Sequence, residues 1–305
     1  MAAIFAVAVL LAAPASAREL AVEASAKPAK IVFVDVGQGD GVVMKIGGKI
    51  IVSDAGEFEL ENVKAALKSV DAKRIDVAIL SHPHEDHVKN FVALFAAWDV
   101  KKAVLSKSEH WKATDANRAV MAAIAAEGLT PTYVTAGQTF NWGGATWEIL
   151  SPPAGKYEGG SEEAANASVA YLLRVNGIDT LFTGDVEKKV AKEIAARLAS
   201  HLTEPVDVFL ATHHGSKHGS VDELLNVAKP RWTVLSTGPN SYGHPAPEAI
   251  ARLKAIGATV WCTDVNGSVD ARISASGKLS WKAHGQATPW WSSKAKTRTG
   301  SCVGR

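Results

Sequence analysis

Cysteine is scarce in this 305-residue chain. Only Cys262 and Cys302 occur, which excludes a disulfide-dense scaffold and a structural module of cysteine-bound zinc. Excess charge is also missing: 33 Lys and Arg face 31 Asp and Glu, so neither a basic nucleic-acid-binding arm nor a polyacidic tail dominates the molecule. Beyond the first residues no apolar run approaches the roughly 20 residues that a bilayer core demands, so no stable membrane span is expected. No repeat of solenoid period is present. The turn Gly37-Gln38-Gly39-Asp40 lacks the spacing of a dinucleotide or P-loop fingerprint, and no G-x-S-x-G elbow marks a serine nucleophile.

What is present is the composition of a globular domain, with 47% hydrophobic and 21% charged residues. The charge is unevenly distributed. No carboxylate follows Asp270, whereas seven Lys and Arg do, so residues 1–270 carry 26 basic against 31 acidic side chains and the end is basic. At the other end, Ala2 to Ala13 is apolar and precedes Ala15-Ser16-Ala17. This pattern predicts a secretory signal peptide over 1–17, cleaved near Ala17, and hence a secreted or periplasmic protein. Residues 18–30 read as a linker, 31–282 as the folded domain and 283–305 as a basic, Trp-containing tail. Export would make a Cys262–Cys302 disulfide chemically accessible, although nothing in the sequence sets the two side by side.

From residue 31 onward, short β-branched runs alternate with amphipathic stretches. IVFVDV and KIIVSD read as strands, with MKIGG supplying the turn between them. Helices are predicted over 61–70, 90–98, 115–127, 187–201, 221–227 and 247–256. Further strands fall at 75–80, 100–105, 132–134, 146–150, 169–175, 180–182, 206–210, 232–235, 259–262, 268–273 and 279–281. Two halves of this kind suggest sheets sandwiched by helical layers, an α/β architecture.

Seven of the ten histidines fall in three segments that each follow a predicted strand. His82, His84 and His87 lie in Ser81-His-Pro-His-Glu-Asp-His87, directly after the apolar VAIL. Three imidazoles and a carboxylate at the end of a buried strand would suffer heavy desolvation unless a divalent ion compensated them. Asp54, Asp185 and the pair His213-His214 end three other strands. Taken singly each has an ordinary explanation; Asp185, for instance, precedes a helix and could cap it. Their conjunction points to metal.

His-x-His-x-Asp-His after an apolar strand, a strand-end Asp, a Thr-Gly-Asp and a later strand-end His together resemble the metallo-β-lactamase superfamily. FVDVGQGD at 33–40, Asn166-Ala-Ser168, LFTGD, THHGS at 212–216 and TGPNSYGHPAPEAIARL resemble, more narrowly, the metal-binding domain of ComEC-type competence proteins. The resemblance covers about residues 31–275 and implies an αββα sandwich of two mixed sheets flanked by helices. It also implies one or two divalent ions, zinc or manganese. His82 and His84 would hold one ion and Asp86 and His87 the other, with Asp185 bridging and His214 favoured over His213 because Gly215 follows it. Asp54 would orient an imidazole from outside, and Asp40, Asn166, Ser168, His213 and Ser216 are expected around the centre or near substrate. The sequence departs from the branch at His84, where Asp is more frequent, and at Val88-Lys89-Asn90, where small glycines are. The long membrane regions of those proteins have no counterpart here.

The resemblance implies metal-assisted hydrolysis, with water activated at the metal, and Asp86, Asp185 and His244 are expected to carry it. The ComEC-like branch is associated with nuclease activity, which makes DNA or another phosphodiester the expected substrate. His244 would protonate a leaving oxygen or hold a phosphate, and Ser216, Lys217 and His218 could add contacts. Residues 276–305, with Trp281, Trp290 and Trp291 among basic residues, could stack bases. The competing readings are a metallo-hydrolase of another ester, lactone or lactam, and a non-catalytic metal-binding envelope protein.

Overall fold

The computed structural model describes residues 26–159 and 164–285. The expected signal peptide, most of the linker, Trp290, Trp291 and Cys302 lie outside the described residues, and a pairing of Cys262 with Cys302 lies outside them as well.

The first half of the chain builds one sheet. Its elements are β1 (Ala29–Phe33), β2 (Gly41–Ile46), β3 (Lys49–Ala55), α1 (Leu60–Ser69), β4 (Val77–Leu80), α2 (Glu85–Val88), α3 (Phe91–Ala97), β5 (Ala103–Leu105), α4 (Asp115–Ala126) and β6 (Thr132–Tyr133). The second half builds another from β7 (Thr139–Trp142), β8 (Ala145–Ser151), β9 (Ala170–Val175), β10 (Ile178–Phe182), α5 (Lys188–Ala199), β11 (Val208–Leu210), α6 (Asp222–Ala228), β12 (Trp232–Leu235), α7 (Pro247–Ala255) and β13 (Thr259–Cys262). After the short α8 (Thr263–Asn266), strands β14 (Val269–Ile273) and β15 (Leu279–Ala283) return to the first sheet. The strand orders are β15-β14-β1-β2-β3-β4-β5-β6 and β13-β12-β11-β10-β9-β8-β7.

Both sheets follow one plan. Pairs are antiparallel up to β3 in the first and up to β10 in the second, and parallel from there to β6 and β13. Parallel pairing requires crossovers, and the amphipathic helices supply them. In α5, for example, Val190, Ala191, Ile194, Ala195 and Leu198 recur at helical spacing and are buried. They join Leu224, Ile250 and Leu253 over the outer face of the second sheet. Val63, Leu67, Phe91, Phe95, Val120 and Ile124 cover the first sheet in the same way. Between the sheets lie Phe33, Met44, Tyr171, Leu173, Phe182, Val208 and Val234. The result is the four-layer αββα sandwich.

Several local readings need correction. Met44 to Ile46 belong to β2, and only Gly47-Gly48, both at positive φ (58° and 83°), make the turn. The strand β7, with its Gly143-Gly144 turn, has no counterpart among the predicted elements; its exposed residues hide the usual alternation. Trp281 sits in β15, where a strand is expected at 279–281, but its ring lies 5.2 Å from Trp232 and 5.8 Å from Trp261, so it packs on the body and is not grouped with the basic end for stacking bases. The first strand likewise begins at Ala29, inside the expected linker.

The sheets are stitched together beyond the strand ends by the β1–β2 turn. The Ser236 hydroxyl donates to the Gly39 carbonyl at 2.7 Å, and the Thr237 hydroxyl donates to Gln38 Oε1 at 3.0 Å. A Cβ on Gly238 would sit 2.6 Å from the Gly37 carbonyl carbon, and one on Gly39 would sit 2.1 Å from the Asp86 carbonyl oxygen. Gly238→Ala is therefore expected to push the two loops apart, at a cost of about 1–3 kcal/mol. A thermal melt of the variant that matched the wild type would show that the loops are not closely fitted.

Candidate metal centre

The polar residues of the site lie at or just past the carboxyl ends of β3, β4, β10, β11 and β12, with Asp40 on the β1–β2 turn, around the point where each sheet changes from antiparallel to parallel. Such ends are where open α/β sheets leave a crevice. In the parallel register of β3 and β4, Ser53 faces Ile79, so Asp54 and Ser81 emerge together. Asp54 accepts a hydrogen bond from the Ser81 amide at 2.8 Å and another from His87 Nδ1 at 3.0 Å. The second bond fixes His87 with Nε2 facing inward, the orienting role expected of Asp54.

The spacing within His82-Pro-His-Glu-Asp-His87 works because α2 is one helical turn. His84 stands at its N-cap and its carbonyl accepts from the amides of His87 and Val88. That turn buries His87 beside His82, ring centroids 4.2 Å apart, and leaves Asp86 on the open side, 26% exposed. His82 Nδ1 pairs with the Ser81 hydroxyl at 3.0 Å, and its Nε2 lies 3.0 Å from His84 Nδ1.

Asp185 follows Gly184, whose φ of +53° and packing against Ser168 leave no room for a side chain. The Ser168 hydroxyl donates to the Ala165 carbonyl at 2.7 Å and accepts from the Asp185 amide at 3.2 Å; Asn166 Oδ1 accepts from the Glu187 amide at 3.0 Å. Asn166 and Ser168 thus brace the Asp185 loop. Ser216 is similarly a loop brace, its hydroxyl accepting from the His218 amide.

His213 and His214 occupy consecutive left-handed positions, at φ 50° and 53°. For non-glycine residues this costs on the order of 1–3 kcal/mol each. It turns both rings inward: His214 Nδ1 donates to the Ser236 carbonyl and His213 Nδ1 to Glu187, each at 3.0 Å. Four imidazole Nε2 atoms then converge on Asp185 Oδ2, from His87 at 3.2 Å, His214 at 3.4 Å, His213 at 3.5 Å and His82 at 3.7 Å. Asp86 lies 3.3 Å from His214 Nε2, and Asp40 3.3 Å from His214 Nδ1.

The electrostatics are those of a buried, mutually compensating cluster. Burial alone would raise Asp185, yet His214, His87 and His213 pull it well below the usual carboxylate range. Burial is the largest single effect and would lower His87 and His214, but Asp185 together with Asp86 and Asp54 for His87, and with Asp40 for His214, overcomes it, and both rise well above the ordinary imidazole value. His82, buried next to His87 and His84, is driven well below it.

Two ligand groups result, His82-His84-Asp185 and Asp40-His87-Asp185-His214, with the potential ligand atoms of each within 4.8 Å of one another. Divalent ions fit them. Among the described residues, the buried Oδ1 of Asp185 has no hydrogen-bond partner, a costly state that a cation would relieve. His87 Nε2 and His214 Nε2 face each other at 3.3 Å, where at most one proton can lie between them. The cluster can therefore hold two divalent ions that share Asp185. Asp40 enters a ligand group directly, a role the sequence reading did not assign it; its place after a glycine turn of the resembling FVDVGQGD motif was the available signal. Asp86, expected as a ligand, stands beside His214 outside both groups.

This fold and centre define a class: residues 34–238 match the family model of the metallo-beta-lactamase superfamily, and the chain belongs to that superfamily. Among curated proteins it is similar to ComE operon protein 3 of Bacillus subtilis, 24% identical over 264 residues that cover 79% of this chain and 32% of that protein. It is also similar to competence protein ComA of Neisseria gonorrhoeae, 25% identical over 252 residues covering 82% and 33%, and to recombination protein 2 of Haemophilus influenzae, 24% identical over 265 residues covering 85% and 30%. The chain thus spans about a third of the length of these relatives. Among solved structures, a mutant of the CmlA beta-hydroxylase shares the fold, with a TM-score of 0.53 at 15% identity over 79% of this chain and 53% of that one.

Two predictions follow from the second group. Asp54→Asn is expected to weaken metal binding about 10- to 100-fold by releasing His87, as read by calorimetric titration of the metal-free protein. The raised values of His87 and His214 lie above the 6.5 of free imidazole, so their pairing with Asp185 stabilises the metal-free protein below that pH and is lost as pH rises through the raised values. Because a metal must displace the proton held there, the increase in Tm on adding zinc should grow as pH rises toward the raised values and level off above them; an increment independent of pH would contradict this protonation scheme.

Proposed function

We propose that the protein is an exported metal-dependent phosphodiesterase of the nuclease type, belonging to the ComEC-like branch. The observation that carries the reading is Asp185 shared by two ligand groups at the floor of an open cleft of about 580 Å³. Two-ion sites of this kind suit in-line displacement at phosphorus. The names of the relatives, competence and recombination proteins, point to DNA as substrate, and Asn166, where many superfamily hydrolases carry a further histidine, weighs against a β-lactamase. The apolar segment before Ala17 supports export.

When bound, divalent ions would activate a water and stabilise the charge that develops on the phosphate. The chain's own contributions are specific. Asp185 stays ionised and offers both oxygens; His82, His84, Asp40, His87 and His214 complete the donor set, with Asp54 and the Ser236 carbonyl holding two of the rings in place. Asp86 faces the open side of the same floor.

His244 lines the cleft, 5.0 Å from the His213 ring, with a buried Nδ1 that has no partner among the described residues. Burial, then the neighbouring His213 and His214, push its pKa down to about 4. It is neutral near pH 7, which favours holding a substrate oxygen by hydrogen bonding over donating a proton as an imidazolium.

The test is to present the metal-loaded protein with bis-p-nitrophenyl phosphate, single- and double-stranded DNA, and a cephalosporin. Phosphodiester turnover is expected, abolished in Asp185→Asn and reduced about 10²-fold or more in kcat/KM in His244→Ala at unchanged metal content. Turnover of the cephalosporin alone would overturn the reading.

A further inference from the structure

The walls of the cleft differ in chemistry from its floor. Among its lining residues none is Lys or Arg, and the charged groups above the floor are Glu57 and Glu85. Lys89 holds these two from outside, at 2.6 Å and 2.8 Å. A duplex, which presents closely spaced phosphates on two strands, would find no cation on these walls.

What the walls offer instead is aromatic. Phe58 and Tyr242 both line the cleft and are 54% and 74% exposed. Phe58 comes from the loop after β3 and Tyr242 from the loop after β12, so each sheet contributes one ring. Both are mounted on braced backbone. Asn90 Nδ2 donates to the carbonyls of Ala55 and Phe58 at 2.9 Å and 2.7 Å. Asn240 Nδ2 donates to the carbonyls of Gly238 and His244, while its Oδ1 accepts from the amides of Tyr242 and His244. Large apolar rings held open to solvent by a rigid backbone, at the mouth of a polar site, form a platform for flat ligands.

The rings also lead inward. The Tyr242 ring is 6.0 Å from His244, His244 is 5.0 Å from His213, and His213 Nε2 is 3.5 Å from Asp185. A base attached next to a phosphate on the floor is within reach of Tyr242.

We propose that the cleft recognises single-stranded nucleic acid by stacking unpaired bases on Phe58 and Tyr242. This rests on the phosphodiesterase reading for the floor of the site, but the stacking is a property of the walls. Bases within a duplex are already stacked on one another and present no free face, so duplex is discriminated against by the same rings.

The experiment is a fluorescence anisotropy titration of the full, metal-loaded chain with three labelled probes: a phosphorothioate-linked oligothymidylate, an abasic phosphorothioate oligomer of equal length, and a duplex. The abasic probe keeps every phosphate, so charge anywhere on the chain acts equally on both single strands. The oligothymidylate is expected to bind about tenfold or more tightly than the other two, with Phe58→Ala and Tyr242→Ala each raising its Kd about tenfold, leaving the abasic Kd in place, and Tyr242→Phe retaining the wild-type value. Thermal melts establish that the exposed-site variants are folded. Equal affinity for thymidylate and abasic probes, absence of binding, or equal weakening of both by the alanine variants would overturn the proposal. Base-dependent binding without phosphodiester turnover would instead retain stacking and remove the hydrolytic reading, while turnover without base dependence would do the reverse.

Discussion

The site depends on one convergence: four imidazole nitrogens from two loops, those after β4 and β11, aimed at a single carboxylate oxygen of Asp185. Burying that many titratable groups would be prohibitive if each were alone. Compensation among them makes the arrangement tenable, and each ring is committed by a second bond on its far side. Asp54 commits His87, Ser236 commits His214, Glu187 commits His213 and Ser81 commits His82. The far-side partners come from both sheets, so the geometry of the centre is set by how the sandwich is assembled.

That dependence explains the close fit around the β1–β2 turn. Asp40 reaches the second ligand group only because Gly39 lies against the Asp86 backbone and Ser236 holds the Gly39 carbonyl. The Asp185 loop is similarly fixed by Ser168 and by Gly184, which packs against it. The apolar layers place strand ends within a few ångströms; these polar contacts supply the last adjustment that a metal donor set requires.

The fold was largely legible because β-branched runs and amphipathic stretches alternate cleanly, and His82, His84, Asp86 and His87 stood out through their spacing alone. Asp54 and Asp185 carried no local signal beyond ending a strand, and it was the ordered resemblance along the chain that gave them meaning. Asp40 carried only the signal of its place in the FVDVGQGD motif, since its contact with His214 arises only when the two sheets close. What Asn166 and Ser168 do is visible only in their hydrogen bonds to the following loop. Strand β2 was hidden by a glycine pair that drew its last three residues into the turn. Phe58 and Tyr242 are unremarkable in sequence, and their prominence is a matter of exposure.

The left-handed backbone of His213 and His214 has a consequence for the life of the protein. Two adjacent residues in that conformation are held there by what their rings gain inside the cluster, so the segment stores energy that the centre keeps in check. Anything that weakens the centre, such as scarcity of the ion that fits it, loosens this segment before it disturbs the helical layers. Conditions that loosen the cluster are therefore expected to expose this loop to proteolysis before the helical layers.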